Sequence, residues 1–152
     1  MMISRNEEQF RRGVPEITPD RKKELLLFQK TSHNRFRRLE LLNLAFSHRS
    51  YANEQGEGVD NNEKLEFLGD SVLGLVISEY LFIEYPEMVE GDFARIKSFV
   101  VSEDSLSEVA RRTKVDNFIL IGKGEEYSGG RKKKAILADC LEAIIGAYYL
   151  DS

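Results

Sequence analysis

The chain has 152 residues, 41% of them hydrophobic and 32% charged, with a formal net charge of −4, which describes one folded domain with room for a core but not for two. That balance excludes a disordered chain, and no uncharged apolar run approaches the ~18 residues a membrane span needs. The acidic excess argues against a generic nucleic-acid binder, normally basic, unless the acids are gathered to hold cations.

Residues 1–22 read as a flexible tail, because Gly13, Pro15 and Pro19 stand among charges with no apolar period. The tail has no apolar leader, and the single cysteine, Cys140, allows no internal disulfide, so the chain is expected in a reducing cytoplasm. The folded domain is expected over residues 23–152. Apolar spacing begins at Leu25, Leu26 and Phe28, and a short helix is expected through Leu39, Leu42, Ala45 and Phe46. Asn53 to Gly58 reads as a polar, glycine-containing loop. A long helix follows, with Asn61 or Asn62 as N-cap, and ends near Glu84 or Tyr85, before Pro86. Another helix spans about Asp92 to Val101, and Ser102 caps one that runs to Arg112. Gly122, Gly124, Gly129 and Gly130 mark a polar loop before a last helix over Ala135 to Leu150. No stretch alternates convincingly as a strand, so the expected class is all-α.

Two of these helices carry acids beside apolar faces. Glu63, Glu66 and Asp70 fall at i, i+3 and i+7 and stack in a line, while Leu65, Leu68, Val72, Leu75 and Val76 form an apolar stripe. Like charges at these spacings repel by about 0.2–0.5 kcal/mol per exposed pair, more where water is excluded. Gly69 and Gly74 each cost the same helix up to about 1 kcal/mol against alanine, which makes sense where a backbone or a metal site must approach closely. In the last helix, apolar nearly all round, Asp139 and Glu142 stand at i and i+3. Buried carboxylates must be paired, protonated or metal-bound. For one isolated pair, salt bridges are the favoured reading at roughly two to one; two clusters shift the balance toward metal. An all-oxygen site selects Mg²⁺ or Mn²⁺ over zinc.

Several residues have plainer explanations. His33 and His48, the only histidines, are too few for a histidine metal site, and His48 is expected to pack or cap beside the loop. Arg131 to Lys134 could touch phosphates or simply line a solvated loop. Arg95 and Lys97 could pair with RNA or with acids. Cys140 reads as a small buried hydrophobe.

The stretch NEKLEFLGDSVL, Asn62 to Leu73, resembles the hallmark motif of the ribonuclease III family, whose usual form is close to NERLEFLGDS. HRSYANE (from His48), EGDFARIKS (from Glu90), GKGEE with SGGR (Gly122 to Arg131) and ILADCLEAIIGAYYLDS (from Ile136) resemble the same family in the same order, over roughly residues 25–152. The resemblance implies an all-helical endonuclease domain forming a symmetric homodimer that cuts double-stranded RNA with Mg²⁺, Mn²⁺ substituting. Such cleavage leaves 5′-phosphate and 3′-hydroxyl ends with short 3′ overhangs, in ribosomal RNA precursors and other structured transcripts. It makes Glu66, Asp70, Asp139 and Glu142 the metal-binding acids, with Asp70 and Glu142 closest to the chemistry. Glu63 and Glu90 match two further acids at the dimer cleft that assist cleavage, and Phe67 matches an apolar knob that enters the partner subunit. Lys97, Arg131 and Lys132 are the weakly indicated RNA contacts. Bacterial members usually continue into a double-stranded-RNA-binding domain, absent here, so the resemblance implies a domain shortened at its C-terminal end. Ser32 to Phe36 replaces the family's usual glycine-aromatic turn. Two other classes stay open: a non-cleaving RNA-binding relative, which would have lost site acids, and a helical dimer whose acids bind structural cations.

Overall fold

The computed structural model describes residues 13–152. Among the described residues eight α-helices follow in order: α1 (Pro19–Ser32), α2 (Leu39–Ala45), α3 (Arg49–Gln55), α4 (Glu63–Glu84), α5 (Glu90–Val100), α6 (Glu103–Arg112), α7 (Lys123–Tyr127) and α8 (Lys134–Asp151). Single 3₁₀ turns lie at Val115–Asn117 and Gly130–Lys132. Among the described residues extended pairing is limited to one parallel bridge between Ser47 and Leu120, consistent with the all-α expectation.

The bundle is built around α8, which packs against α4, α6 and α2. Its apolar circumference buries Ile136, Leu137, Cys140, Ala143, Ile144 and Ala147 at once, as a helix without a polar face must. Phe28 of α1 stands edge-on to Phe46 at 5.0 Å and meets Phe118 at 5.3 Å, closing the far side of the core. Cys140 lies fully buried with its Sγ 3.5 Å from the Ala45 carbonyl, and burial pushes its thiol pKa up, so it is an inert core residue.

Three boundaries differ from the sequence expectations. The tail assigned to residues 1–22 does not extend that far. Thr18 caps α1 by accepting from the Arg21 amide, and Pro19 occupies the first turn, where its missing N–H is harmless. Arg21 is buried, donates to Asn43 Oδ1 at 2.8 Å and pairs with Glu24, while Asn43 holds the Pro15 carbonyl. Residues 1–12 of the expected tail lie outside the described residues. The loop expected from Asn53 begins only at Gly56, because α3 runs to Gln55 with His48 as its cap: the ring Nδ1 accepts from the Ser50 amide. The loop before α8 likewise contains the short helix α7.

The apolar stripe expected along α4 is only partly a core. Leu65, Gly69 and Leu81 are buried, but Leu75 is 70% exposed and Val76 51%. α4 is apolar on more than one face, and in the single chain only α8 covers it along most of its length. The remaining apolar side chains of α4, with Phe67 79% exposed, Phe82 and Ile83, are open to solvent, as is Phe99 of α5.

Where α4 crosses α8, the two backbones touch. A Cβ on Gly69 would lie 1.7 Å from the Glu142 carbonyl oxygen, and one on Gly146 would lie 2.3 Å from that of Leu65. Neither position can hold a side chain without parting the helices. Gly74 is different, since a Cβ there would meet only the end of the Lys97 side chain, at 3.4 Å.

Candidate active site

The crossing at Gly69 and Gly146 brings the two acid-bearing faces together. One carboxylate oxygen each from Glu66 of α4 and from Asp139 and Glu142 of α8 lies within 4.8 Å of the others. Asp70 stands outside this triad, on the exposed side of α4, close enough for its charge to act on Glu142. Glu63, one turn before Glu66, is held by Arg49 at 3.9 Å and adds to the field on Glu66 and Asp139. Glu90, exposed at the start of α5, is not among the carboxylates that the single chain gathers.

The start of α4 is fixed from below. Asn62 is buried, its amide nitrogen donating to the Ala45 carbonyl and its backbone N–H to that of Ser47, so the end of α2 sets where α4 begins. Asn61 supplies the side-chain cap, accepting from the Glu63 amide. The helix therefore reaches Glu66 with a fixed rotational phase.

The electrostatics of the triad are those of acids without a counter-ion. Among the described residues no lysine, arginine or histidine forms an ion pair with Glu66, Asp139 or Glu142. Burial, and then the neighbouring carboxylates, raises all three above the ordinary range. Glu142, facing Asp70, Asp139 and Glu66, is pushed up to about 7. Glu66 rises through burial and then Asp139, Glu63 and Asp70; Asp139 rises through burial and then Glu103 and Glu63. The donors are oxygens only, with no thiolate or imidazole among them, and they lack cationic partners. The residues therefore fit a hard divalent cation.

This arrangement has a measurable consequence for stability. A carboxylate with a raised native pKa binds more protons folded than unfolded, so its stabilising contribution is full below the unfolded value, near 4.5, and is lost as pH rises through about 7. The shift taken at face value is about 3 kcal/mol, and solvent screening of this partly exposed group reduces it to about 1–2 kcal/mol. His48, its pKa lowered by burial, acts in the opposite sense. We expect urea titrations in a chelator to show the wild type losing about 1–2 kcal/mol relative to Glu142→Gln between pH 5 and pH 8. A constant difference between the two proteins would refute the assignment.

Beside the acids lies a cleft of about 570 Å³ lined by His48, Arg49, Glu63, Glu66, Lys133 and Asp139, among others. Arg49 is the functional candidate that sequence reasoning missed; its signal was its place between His48 and Ser50 in a block already singled out. Glu103, at the start of α6, was also missed, since nothing in its local pattern points toward Asp139. Of the weakly indicated RNA contacts, Arg131 has a structural task. Its guanidinium grips Glu126 with Nε and Nη2 and donates from Nη1 to the carbonyls of Asp116 and Ile119. Lys133 pairs with Glu125 and Lys134 with Asp104, while Lys132 is exposed. The Lys97 side chain lies along α4 over Gly74.

A family model described as Ribonuclease-III-like matches residues 38–152. Among curated relatives, Ribonuclease 3 of Treponema denticola is 56% identical over 136 residues, 90% of this chain and 55% of that protein. Ribonuclease 3 of Borreliella burgdorferi is 49% identical over 133 residues, 88% of this chain and 54% of that protein. The chain thus spans about half the length of the curated relatives it matches. Among solved structures, the nuclease domain of ribonuclease III from Campylobacter jejuni is similar with a TM-score of 0.77 at 38% identity, covering 86% of this chain and 85% of that one. A second structure of that domain, described for flexibility in the region involved in dimer formation, gives a TM-score of 0.76 at 39% identity, over 82% and 84% of the two chains.

Proposed function

The chain belongs to the ribonuclease III family, and from that premise we propose that it is an endoribonuclease domain hydrolysing phosphodiester bonds of double-stranded RNA with Mg²⁺. The observation that carries the reading is the triad of Glu66, Asp139 and Glu142, gathered from two helices with no basic partner among the described residues. A purely structural acid cluster would ordinarily recruit lysine or arginine, because each unpaired, partly buried carboxylate costs stability.

Glu66, Asp139 and Glu142, with Asp70 at the edge, would hold the cation. When bound, Mg²⁺ lowers the pKa of a water, orients it for attack and stabilises charge on the leaving 3′ oxygen. The chain's own contribution is to keep the carboxylates in register and to exchange protons. Burial and the neighbouring carboxylates keep Glu142 partly protonated near neutral pH, and a cation held there would displace that proton, so cation binding is expected to strengthen as pH rises through about 7. Glu63, restrained by Arg49, stays beside the triad without joining it and adds negative field at the cleft. The products are a 5′ phosphate and a 3′ hydroxyl with short 3′ overhangs, and sequence selectivity is weak because A-form RNA offers shape and 2′-hydroxyls in its open groove. Ribosomal RNA precursors and other structured transcripts are the proposed substrates.

The enzyme works as a symmetric homodimer. The exposed apolar side chains of α4 and α5 are the support: single exposed apolar residues are normal, but Phe67, Leu75, Phe82 and Phe99, on two neighbouring helices, are each at least 70% exposed, which suits an interface. In this reading Phe67 enters the partner and Glu63 and Glu90 line the shared cleft. Phe67→Ala is then expected to weaken self-association by about 2–4 kcal/mol, which sedimentation velocity measures as a dimer-to-monomer shift at micromolar protein. A wild type that is monomeric under those conditions contradicts the dimer.

The direct test of activity is cleavage of a simple RNA duplex with and without Mg²⁺. Cut duplex with 5′-phosphate ends supports the nuclease. Duplex that is bound but uncut, or not bound, favours a non-cleaving relative or a structural cation site respectively.

A further inference from the structure

A second charged feature lies at the opposite end of α8 from the acid cleft. From Lys30 to Arg38 the chain carries Lys30, Arg35, Arg37 and Arg38 and not one acidic side chain, in a protein of net charge −4. The turn that presents them is rigidly held. His33 adopts the left-handed conformation at φ 57° to end α1. The Phe36 amide donates to Gln29 Oε1 at 2.7 Å, and its buried ring stands edge-on to Tyr148 at 5.5 Å. The backbone amides of Arg37 and Arg38 both donate to the buried carboxylate of Asp151, and Arg38 adds its Nε. Asp151 is thereby consumed in fastening the turn to α8.

The other three cations are left over. Lys30, Arg35 and Arg37 are exposed, and among the described residues none forms an ion pair. Arg35 and Arg37 stand between two adjoining depressions of about 450 and 650 Å³, and Lys30 lines the first of them. Among the described residues Asp151 is the one side-chain carboxylate lining either depression, and it is already held by three donors. Concave surface, fixed backbone and three uncompensated cations together make an anion-binding surface rather than a scatter of solvated charges.

We propose that Lys30, Arg35 and Arg37 bind backbone phosphates of duplex RNA flanking the segment in the acid cleft. This rests on the nuclease reading above. Asp151 lies about 18 Å along α8 from Asp139, at 1.5 Å per residue; the proposal lays the duplex along α8, so that this contact falls outside the base pairs being cut. It supplies attraction that the acidic cleft cannot. Guanidinium groups suit phosphate through paired donors, and such contacts carry no sequence information.

The test is single-turnover cleavage with Mg²⁺ across a KCl series, comparing wild type with Lys30→Gln/Arg35→Gln/Arg37→Gln on two duplexes. One has about 24 base pairs and the other about 8, too short as an A-form duplex to reach past the cleft on either side. On the long duplex the triple variant should need at least tenfold more enzyme for half-maximal rate, and the slope against log salt should shrink by about 2–3. Its rate at saturation and its behaviour on the short duplex should match wild type. Equal concentration dependence and equal salt slope on the long duplex would overturn the proposal, as would a defect equally large on both duplexes. A wild type that cuts neither duplex overturns the nuclease reading and this proposal with it; a wild type that cuts both, matched by the variant, overturns this proposal alone.

Discussion

Glu142→Gln should abolish most duplex cleavage while making the metal-free protein more stable. Outer-shell partners of metal ligands typically cost 10–100-fold when removed, so losing a ligand in the triad should reduce the single-turnover rate by more than about a hundredfold. The same substitution removes one of three crowded carboxylates with no ion-pair partner among the described residues. Relief of burial and repulsion should raise stability at pH 8 in a chelator by about 1–2 kcal/mol. The opposed signs make the experiment decisive, because a mutation that merely damages the fold lowers both quantities. Normal turnover in Glu142→Gln, or a loss of metal-free stability, contradicts the assigned role.

Gly69→Ala should be the most destabilising small substitution in the chain. Alanine improves helix propensity by about 1 kcal/mol over glycine, but the added carbon would lie 1.7 Å from the Glu142 carbonyl oxygen and 2.5 Å from its carbon. Backbone cannot rotate aside as a side chain can, so α4 and α8 must separate, and the packing lost along that crossing outweighs the propensity gained. A net loss of about 3–5 kcal/mol is expected in urea unfolding. Cleavage should fall too, since Glu66 moves with α4 while Asp139 and Glu142 stay on α8. Gly74→Ala is the internal control: its nearest contact is the flexible end of Lys97 at 3.4 Å, so stability should hold or rise by up to about 1 kcal/mol. If the two alanines behave alike, the crossing is not what Gly69 serves.

That contrast shows what the sequence could and could not reveal. Both glycines looked alike in a helical pattern, and only the fold separates the one that meets a backbone from the one that meets a lysine tip. Within a helix the acids were legible, because i, i+3 and i+4 spacing is set by helical geometry alone. The pairing of Glu66 with Glu142 across two helices was not, because it depends on a crossing between residues far apart in sequence. The family resemblance supplied that pairing in advance. Long elements announced themselves through caps and periodicity, as Ser102 did for α6 by accepting from the Ser105 amide. Short ones did not. α3 has seven mostly polar residues and a histidine cap, and α7 has five residues. The onset of α1 was missed because Pro19 was read as a breaker, when Thr18 followed by proline is a start signal.

The helix α5 has no buried residue of its own in the single chain. Tertiary packing usually supplies most of a helix's stability, and an isolated eleven-residue helix is marginal in water. In the homodimer proposed above, its secondary structure and its association are therefore a single equilibrium. Dilution should loosen this segment before the subunits are otherwise perturbed. Hydrogen-exchange protection of the α5 amides should accordingly climb with protein concentration while that of α8 stays constant. In that dimer Glu90, at the first turn of α5, would reach the proposed cleft only in the associated state, and subunit encounter would itself then control turnover.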